Sequence, residues 1–429
     1  MAAKKTKRPA KARSGSNKNS PKPGRKSTTV YRFAHPFYDL TPANTSPARP
    51  ADAAAIAAFT QEKLEPIPKP MRSPPEMDLG EIIGNAGRDA VQNSGKIIFH
   101  AFGDSGNPAT NTQELVSDAM TAEYDTTKPQ TCPSFLLHLG DVIYFDNTDT
   151  GYLAQFYAPY KRYPGKIIAI PGNHDGELFK YDGSPTGQKV TLGAFQENFC
   201  HDPSGVPPAA GTIYRQMVSQ PGVYWRLSAP FVDVVGLYSN IGETSGFISS
   251  PALGTTQKGW LIGALTAIKK DRATQPRKAL ILAVHHPLYS GGGHEPSIDM
   301  QKDLDDACQK GGIMPDVVLT AHAHNYQRFT RRLTFGGRPL EIPYIVAGTA
   351  GRGIQPVKQP AKGQAHADAS FDKSLNGYGF LRVTVASGAQ VAAATVKLDF
   401  IQVETTTQST FTTVAFDSVT VNLATAKVT

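Results

Sequence analysis

The residues best equipped for chemistry in this chain are histidines, aspartates, one asparagine and one tyrosine, each set just after a short apolar run. His322 and His324 follow Asp316-Val317-Val318-Leu319-Thr320, which reads as a buried strand. Residues i and i+2 of an extended chain point the same way, so both imidazoles can face one site beyond the strand end. Four other runs end comparably. They give Gly103-Asp104-Ser105-Gly106, Gly140-Asp141-Val142-Ile143-Tyr144, Gly172-Asn173-His174-Asp175 and His285-His286-Pro287, with His294 nine residues after His285. Singly, each has an ordinary explanation. An Asp after a strand commonly serves a turn or caps a helix, and a His-x-His pair is as often incidental as functional. Five successive strand ends carrying oxygen and nitrogen donors together favour a metal site.

Such a site needs elements that bring strand ends together. The runs Ile97–Phe102, Phe135–Leu139, Lys166–Ile170, Leu280–Val284, Val317–Leu319 and Tyr344–Val346 are nearly continuous in apolar residues. That pattern fits strands covered on both faces. Helical spacing occupies Thr112–Tyr124, Gln257–Arg272 and Ser297–Lys310. Alternating strands and helices predict an α/β sandwich, in which ligands collect beyond the carboxyl ends of the strands. Residues 176–255 break the rhythm with Gly, Pro, Tyr and Ser, a helix near Val190–Phe199 and a strand pair at Gly222–Leu227 and Val232–Leu237. This reads as an insertion that shapes substrate access. Residues 377–425, rich in Val, Thr and Phe, are expected to add antiparallel strands that close a second sheet.

The 429 residues carry 44 Lys and Arg against 36 Asp and Glu, a formal charge of +8. Ten of the basic residues and none of the acidic ones fall in residues 1–26; without them the balance is 34 against 36, or −2. The excess charge therefore belongs to a tail, residues 1–30, too poor in apolar side chains to order itself. Such a tail is expected to be disordered and able to contact a polyanion, or to act only as a solubilising leader. It has no interleaved aromatics to stack on bases. Residues 31–95 are punctuated by proline and read as an extended arm on the body, with one Ala-rich helix at Ala53–Leu64 begun by Asp52. Cys132, Cys200 and Cys308 are odd in number and widely spaced, which excludes a disulfide framework and predicts free thiols. No run reaches the length of a membrane span, and no apolar stretch follows the basic head as in a secretory signal. A cytoplasmic protein is expected on that basis; its oligomeric state is not legible.

In chain order, Asp-x-Gly, Gly-Asp-x-x-Tyr, Gly-Asn-His-Asp, a strand-end His and His-x-His resemble the calcineurin-like metallophosphoesterases, and within them the purple acid phosphatases. The resemblance covers residues 96–385. Two features choose the subgroup. Ser105 and Gly106 follow Asp104 where many relatives have Asp-x-His, and Tyr144 occupies the position of the tyrosinate that colours the purple enzymes. Ala321 stands where the family usually has Gly, Leu282 replaces a Val, and no counterpart of the amino-terminal β-sandwich of the larger plant-type enzymes is expected in residues 31–95.

The resemblance implies a sandwich of two mixed β-sheets flanked by helices within a catalytic domain at 96–429, with a dinuclear centre at the strand carboxyl ends. It implies Fe(III) held by Asp104, Asp141, Tyr144 and His324. A divalent ion, Fe, Zn or Mn, would be held by Asp141, Asn173, His285 and His322. The family's His-x-Pro pattern selects His285 over His286, because Pro287 then falls two residues later. His174 and His294 would join Asn173 in contacting substrate phosphate and would help protonate the leaving oxygen. Donor chemistry agrees: carboxylate and phenolate suit a hard trivalent ion, and Asn with two His suits a divalent one. Two ions bridged by one carboxylate can clamp the attacking and leaving oxygens of a phosphoryl transfer and bring bound water near neutrality. The implied activity is hydrolysis of small phosphate monoesters at mildly acidic pH, by metal-bound hydroxide attacking in line without a phosphoenzyme. A phosphodiesterase or a nucleotide or polyphosphate hydrolase is the alternative with the same metals. A polyanion-binding protein with a vestigial site is a distant one.

Overall fold

The structure, a computed structural model, describes residues 64–107, 109–125, 127–357, 368–388, 394–407 and 410–429. The basic tail, and the helix expected at Ala53–Leu64 except Leu64 itself, fall outside them.

Two sheets lie face to face. The first has eight strands in the order β1(Glu76–Asp78), β5(Trp225–Ser228), β6(Val232–Leu237), β7(Ala279–Val284), β8(Val317–Thr320), β10(Arg338–Ala347), β9(Tyr326–Phe335) and β11(Ala369–Leu375). The second has seven: β15(Lys427–Val428), β14(Thr410–Asn422), β13(Thr395–Thr407), β12(Tyr378–Ala386), β2(Lys96–Phe102), β3(Phe135–His138) and β4(Lys166–Ala169). Strands β6, β7, β8 and β10 run parallel, as do β2, β3 and β4, whereas β12 pairs antiparallel with β2. Both sheets are therefore mixed, as expected, and the strands of 377–425 do close the second one.

Alternation along β7 explains the layering. Ala279, Ile281 and Ala283 enter the core between the sheets with Phe99, Leu137 and Ile168 of the second sheet. Leu280, Leu282 and Val284 face outward. There they meet Leu261, Leu265 and Ile268 of one helix (Thr256–Thr274) and Met300 and Leu304 of another (Ile298–Gly311). A strand that puts apolar side chains on both faces needs a layer on each side, and the helices supply it.

The arm differs from the sequence reading. Residues 76–94, expected to be extended, form β1 and a helix, α1(Leu79–Ser94). Glycines 80, 84 and 87 hide its periodicity, and Gly84 breaks helical geometry with φ 77°. Asp78 starts it with a capping box: its carboxylate accepts from Glu81 N–H at 3.1 Å while the Glu81 carboxylate accepts from Asp78 N–H at 2.9 Å. Leu79 and Ile82 then anchor it in the central core.

Main-chain bonds tie neighbouring strand ends to one another within each sheet and also cross between the sheets. Gly103 N–H donates to Ala347 O at 2.9 Å, Asp104 N–H to Gly140 O at 3.0 Å, and Ala321 N–H to His285 O at 2.8 Å. The bond from Gly103, after β2, to Ala347, at the end of β10, crosses between the sheets, and the other two hold the motifs after β2 and β3 and after β7 and β8 side by side.

Candidate metal centre

Asp104 follows β2, Asp141 and Tyr144 follow β3, Asn173 opens a short helical turn (Asn173–Gly176) after β4, His285 follows β7, and His322 and His324 follow β8. All seven converge, and none is more than 4% exposed. The Tyr144 hydroxyl donates to Asp104 Oδ1 at 3.1 Å and lies 3.2 Å from His324 Nε2. His285 Nε2 lies 3.2 Å from Asn173 Oδ1 and 3.4 Å from Asp141 Oδ2. Ligand-type atoms of Asp141, His285 and His322 all fall within 4.8 Å of one another.

Three of these residues have left-handed backbones: Asp104 at φ 59°, Asp141 at 54° and His322 at 65°. Non-glycine residues rarely rest there, and such strain gathers where side chains must be aimed. Gly140 (φ 97°) and Gly172 let the β3 and β4 loops touch: a Cβ on Gly140 would lie 2.6 Å from Gly172 N, and one on Gly172 would lie 2.2 Å from Asp141 Oδ1. Asp175 secures these loops, its carboxylate accepting from Gly172 N–H at 2.8 Å and Val142 N–H at 3.1 Å. Gln155 holds Tyr144 by both main-chain groups, at 2.9 and 3.1 Å.

The imidazoles share one pattern. His285 Nδ1 faces Leu139 O at 2.8 Å, His322 Nε2 faces Glu243 O at 3.0 Å, and His324 Nδ1 faces Gly353 O at 2.8 Å. A carbonyl only accepts, so the facing nitrogen carries the proton and the opposite nitrogen is the one available to a ligand. Metal-binding histidines are held in this way.

The electrostatics are those of charges buried together. Burial lifts the Asp104 carboxyl to about 7 against the pull of His285. Burial opposes ionisation of Asp141 too, but His285 and His174 outweigh it and hold the carboxyl below the usual range. Asp141 Oδ2 is buried and accepts no hydrogen bond. Burial, together with the crowding of His294, His286 and His285 around it, presses His322 well below 6.5. His324 is pushed down to about 3 by burial and Arg352. Burial would lower His285 as well, yet Asp141 and Asp104 lift it to about 9. In the metal-free cluster a proton on this ring therefore balances the carboxylates, and a bound cation would take its place beside the neutral His322 and His324. The donor set and the orphaned Asp141 oxygen therefore fit a bound metal.

His174 and His294 flank the cluster. The His174 ring lies 4.5 Å from that of Tyr144, and the His294 ring 3.8 Å from that of His322. His174 Nδ1 lies 2.8 Å from Glu177. Burial would lower His174, yet Glu177, Asp141 and Glu243 lift it to about 9. His286 packs behind the site, with Nδ1 2.7 Å from Ser239 Oγ and its ring 4.1 Å from that of His322.

Several contributors escaped the sequence reading. Glu177 and Glu243 form with His174 a second buried group with ligand-type atoms within 4.8 Å. Arg352 stacks its guanidinium 3.9 Å above the Tyr144 ring. Phe145, at φ 60°, sets its ring 4.8 Å from His174. Glu177 could have been found, since it lies three residues after His174 across a helical turn. Glu243 and Arg352 carry no local signal.

A family model for the calcineurin-like phosphoesterases matches residues 99–326. Purple acid phosphatase 23 of Arabidopsis thaliana is 24% identical over 215 residues, 49% of this chain and 40% of that protein, so the chain spans about two fifths of that relative's length. Among solved structures, PhoD is similar at TM-score 0.49 and 12% identity over 78% of this chain and 71% of that one. A dimetal phosphatase from Danio rerio is similar at TM-score 0.41 and 11% identity over 75% and 99%. Among the described residues, no helix is long and apolar enough to cross a membrane.

Proposed function

This chain belongs to the calcineurin-like phosphoesterase family, and on that premise we propose that its buried cluster is a two-metal centre that hydrolyses phosphate monoesters in the manner of a purple acid phosphatase. Asp104, Tyr144 and His324 would hold a first ion, Fe(III), and Asn173, His285 and His322 a second, divalent one. Asp141 would serve both. When bound, the ions supply Lewis-acid stabilisation of phosphoryl charge and a nucleophile at neutral pH.

The observation that carries this reading is the common arrangement of His285, His322 and His324. Each ring has one nitrogen committed to a main-chain carbonyl. The other nitrogen of His285 lies 3.4 Å from Asp141 Oδ2 and that of His324 3.7 Å from Asp104 Oδ1, and His322 has a ring nitrogen within 4.8 Å of the Asp141 carboxylate. The chain's own residues then have distinct tasks. Asp104 and Asp141 bring negative charge to a water-poor pocket. The Glu177 carboxylate takes His174 Nδ1, which leaves Nε2 as the atom that exchanges a proton with a substrate oxygen. His294 is held at both ring nitrogens, Nδ1 donating to Glu243 O at 3.0 Å and Nε2 accepting from the Gln355 side-chain amide at 3.0 Å, so its task is to line the pocket beside His322. The Phe145 and Tyr181 rings, 5.6 Å apart, stand beside His174 and would shield leaving-group chemistry from water.

The test is metal analysis joined to an assay panel of an alkyl monoester, a diester and a polyphosphate. Two metals per chain and monoester hydrolysis lost in Asp141→Asn are expected. A fully metal-loaded chain that cleaves none of the three would overturn the reading.

A further inference from the structure

We infer that Glu243 is the positioning residue that assembles the Asn173–His285–His322 half of the centre, an inference that rests on the two-metal reading above. An amide side chain has a donor end and an acceptor end. Asn173 Nδ2 donates to Glu243 Oε2 at 3.3 Å, and a carboxylate can only accept. Asn173 Oδ1 is thereby turned toward His285 Nε2, 3.2 Å away. Without Glu243 the amide has nothing to decide which end faces the imidazole.

The same residue works through its main chain. Its carbonyl accepts from both His322 Nε2 and His294 Nδ1, each at 3.0 Å, and so fixes the tautomer of two rings at once. The next carbonyl upstream, Gly242 O, accepts from His286 Nε2. The loop is held close by Gly246, where a Cβ would lie 2.6 Å from the His286 ring and whose N–H donates to Ser297 Oγ at 2.9 Å. The Glu243 carboxylate also takes the Tyr181 phenol and sits 4.0 Å from His174 Nε2. One glutamate from the 176–255 segment thus meets an amide and three imidazoles of the site, although it is no member of the ligand set.

A competing role is simple charge balance for His174, which Glu177 already contacts at 2.8 Å. Calorimetric titration of metal-free full-length protein with Zn²⁺, backed by metal analysis, separates the two. Wild type is expected to bind two equivalents. Glu243→Met, which removes the acceptor of Asn173 Nδ2, is expected to keep the first at wild-type affinity and weaken the second by about 10–100-fold. Glu177→Gln, which touches His174 and not Asn173, is expected to keep both. Two equivalents at wild-type affinity in Glu243→Met overturn the inference, as does an equal loss in Glu177→Gln. If Glu243→Met loses both equivalents, Glu243→Gln, whose amide oxygen can still accept from Asn173, decides: recovery of both equivalents supports positioning, and any other result overturns it. A wild-type chain that binds no metal overturns the two-metal reading itself and this inference with it.

Discussion

The Tyr144 hydroxyl donates to Asp104 Oδ1 across 3.1 Å, deep in the protein, with His324 Nε2 3.2 Å from the phenol oxygen. Burial together with Asp104 and Asp141 pushes the phenol well above its ordinary range, so without a cation it stays protonated. A hard cation between these groups would reverse that preference. Iron-loaded wild type is therefore expected to show a visible phenolate-to-iron band, and Tyr144→Phe to lose it. A colourless iron-loaded wild type, or a band that survives the substitution, would remove Fe(III)–tyrosinate from the first half-site.

His174 is expected to protonate the leaving oxygen. Loss of a proton donor costs about 10²–10⁴-fold, and most where the leaving group is a poor one. In His174→Ala, kcat should fall by that amount on an alkyl phosphate and by distinctly less on p-nitrophenyl phosphate, with metal content unchanged. Equal losses on the two substrates would assign His174 to binding and not to proton transfer.

Gly172 offers a steric test. An added Cβ would sit 2.2 Å from Asp141 Oδ1 and 2.4 Å from Asp141 N, neither of which is a flexible tip. Gly172→Ala should destabilise the chain by about 1–3 kcal/mol and displace the carboxylate shared by both proposed half-sites. Urea unfolding and metal analysis read the two effects. Full metal content in the variant would show that Asp141 tolerates the shift.

Acid sensitivity has a source away from the site. His100 is buried with Nε2 2.9 Å from Glu123 and Nδ1 3.0 Å from the Tyr163 hydroxyl. Burial lowers its pKa below 6.5 despite Glu123. The unfolded chain then binds the proton more readily, so stability present above pH 6.5 is lost as pH falls below it. Glu123 adds loss of the same sign at lower pH, since burial there is outweighed by His100 and Arg382, which hold its carboxyl down. The urea midpoint should decline between about pH 7 and about pH 5, and decline less in His100→Gln. Parallel profiles would place the acid sensitivity elsewhere.

The strands that build the site were legible because burial on both faces demands the unbroken apolar runs of β2, β7 and β8. The β9–β10 hairpin was missed although Gly336-Gly337, at φ 56° and 78°, is a turn pair that announces one. Helix α1 was missed because three glycines blur its periodicity, while its Asp78-x-x-Glu81 capping box stood in the sequence unread. The site residues singled out all converge, because few residue types can bind metal and the strand-end spacing exposes them. Glu243 was invisible for the opposite reason. It acts through one hydrogen bond to Asn173, seventy residues away, and through a carbonyl that every residue possesses.

The loop bearing Glu243 starts from an unusual footing. Asn240, at φ 68°, accepts from Glu65 N–H at 3.2 Å and donates to Glu65 O at 2.8 Å, reading one residue of the arm by both main-chain groups. Glu65 lies well upstream of the stretch, 99–326, that matches the family. The catalytic segment is thus not portable at its family boundary. A transplant of residues 99–326 into another framework would carry every proposed ligand and leave Asn240 only its contact with Ile241 N–H, at 2.9 Å, so a unit that keeps this loop as it stands reaches back to Glu65.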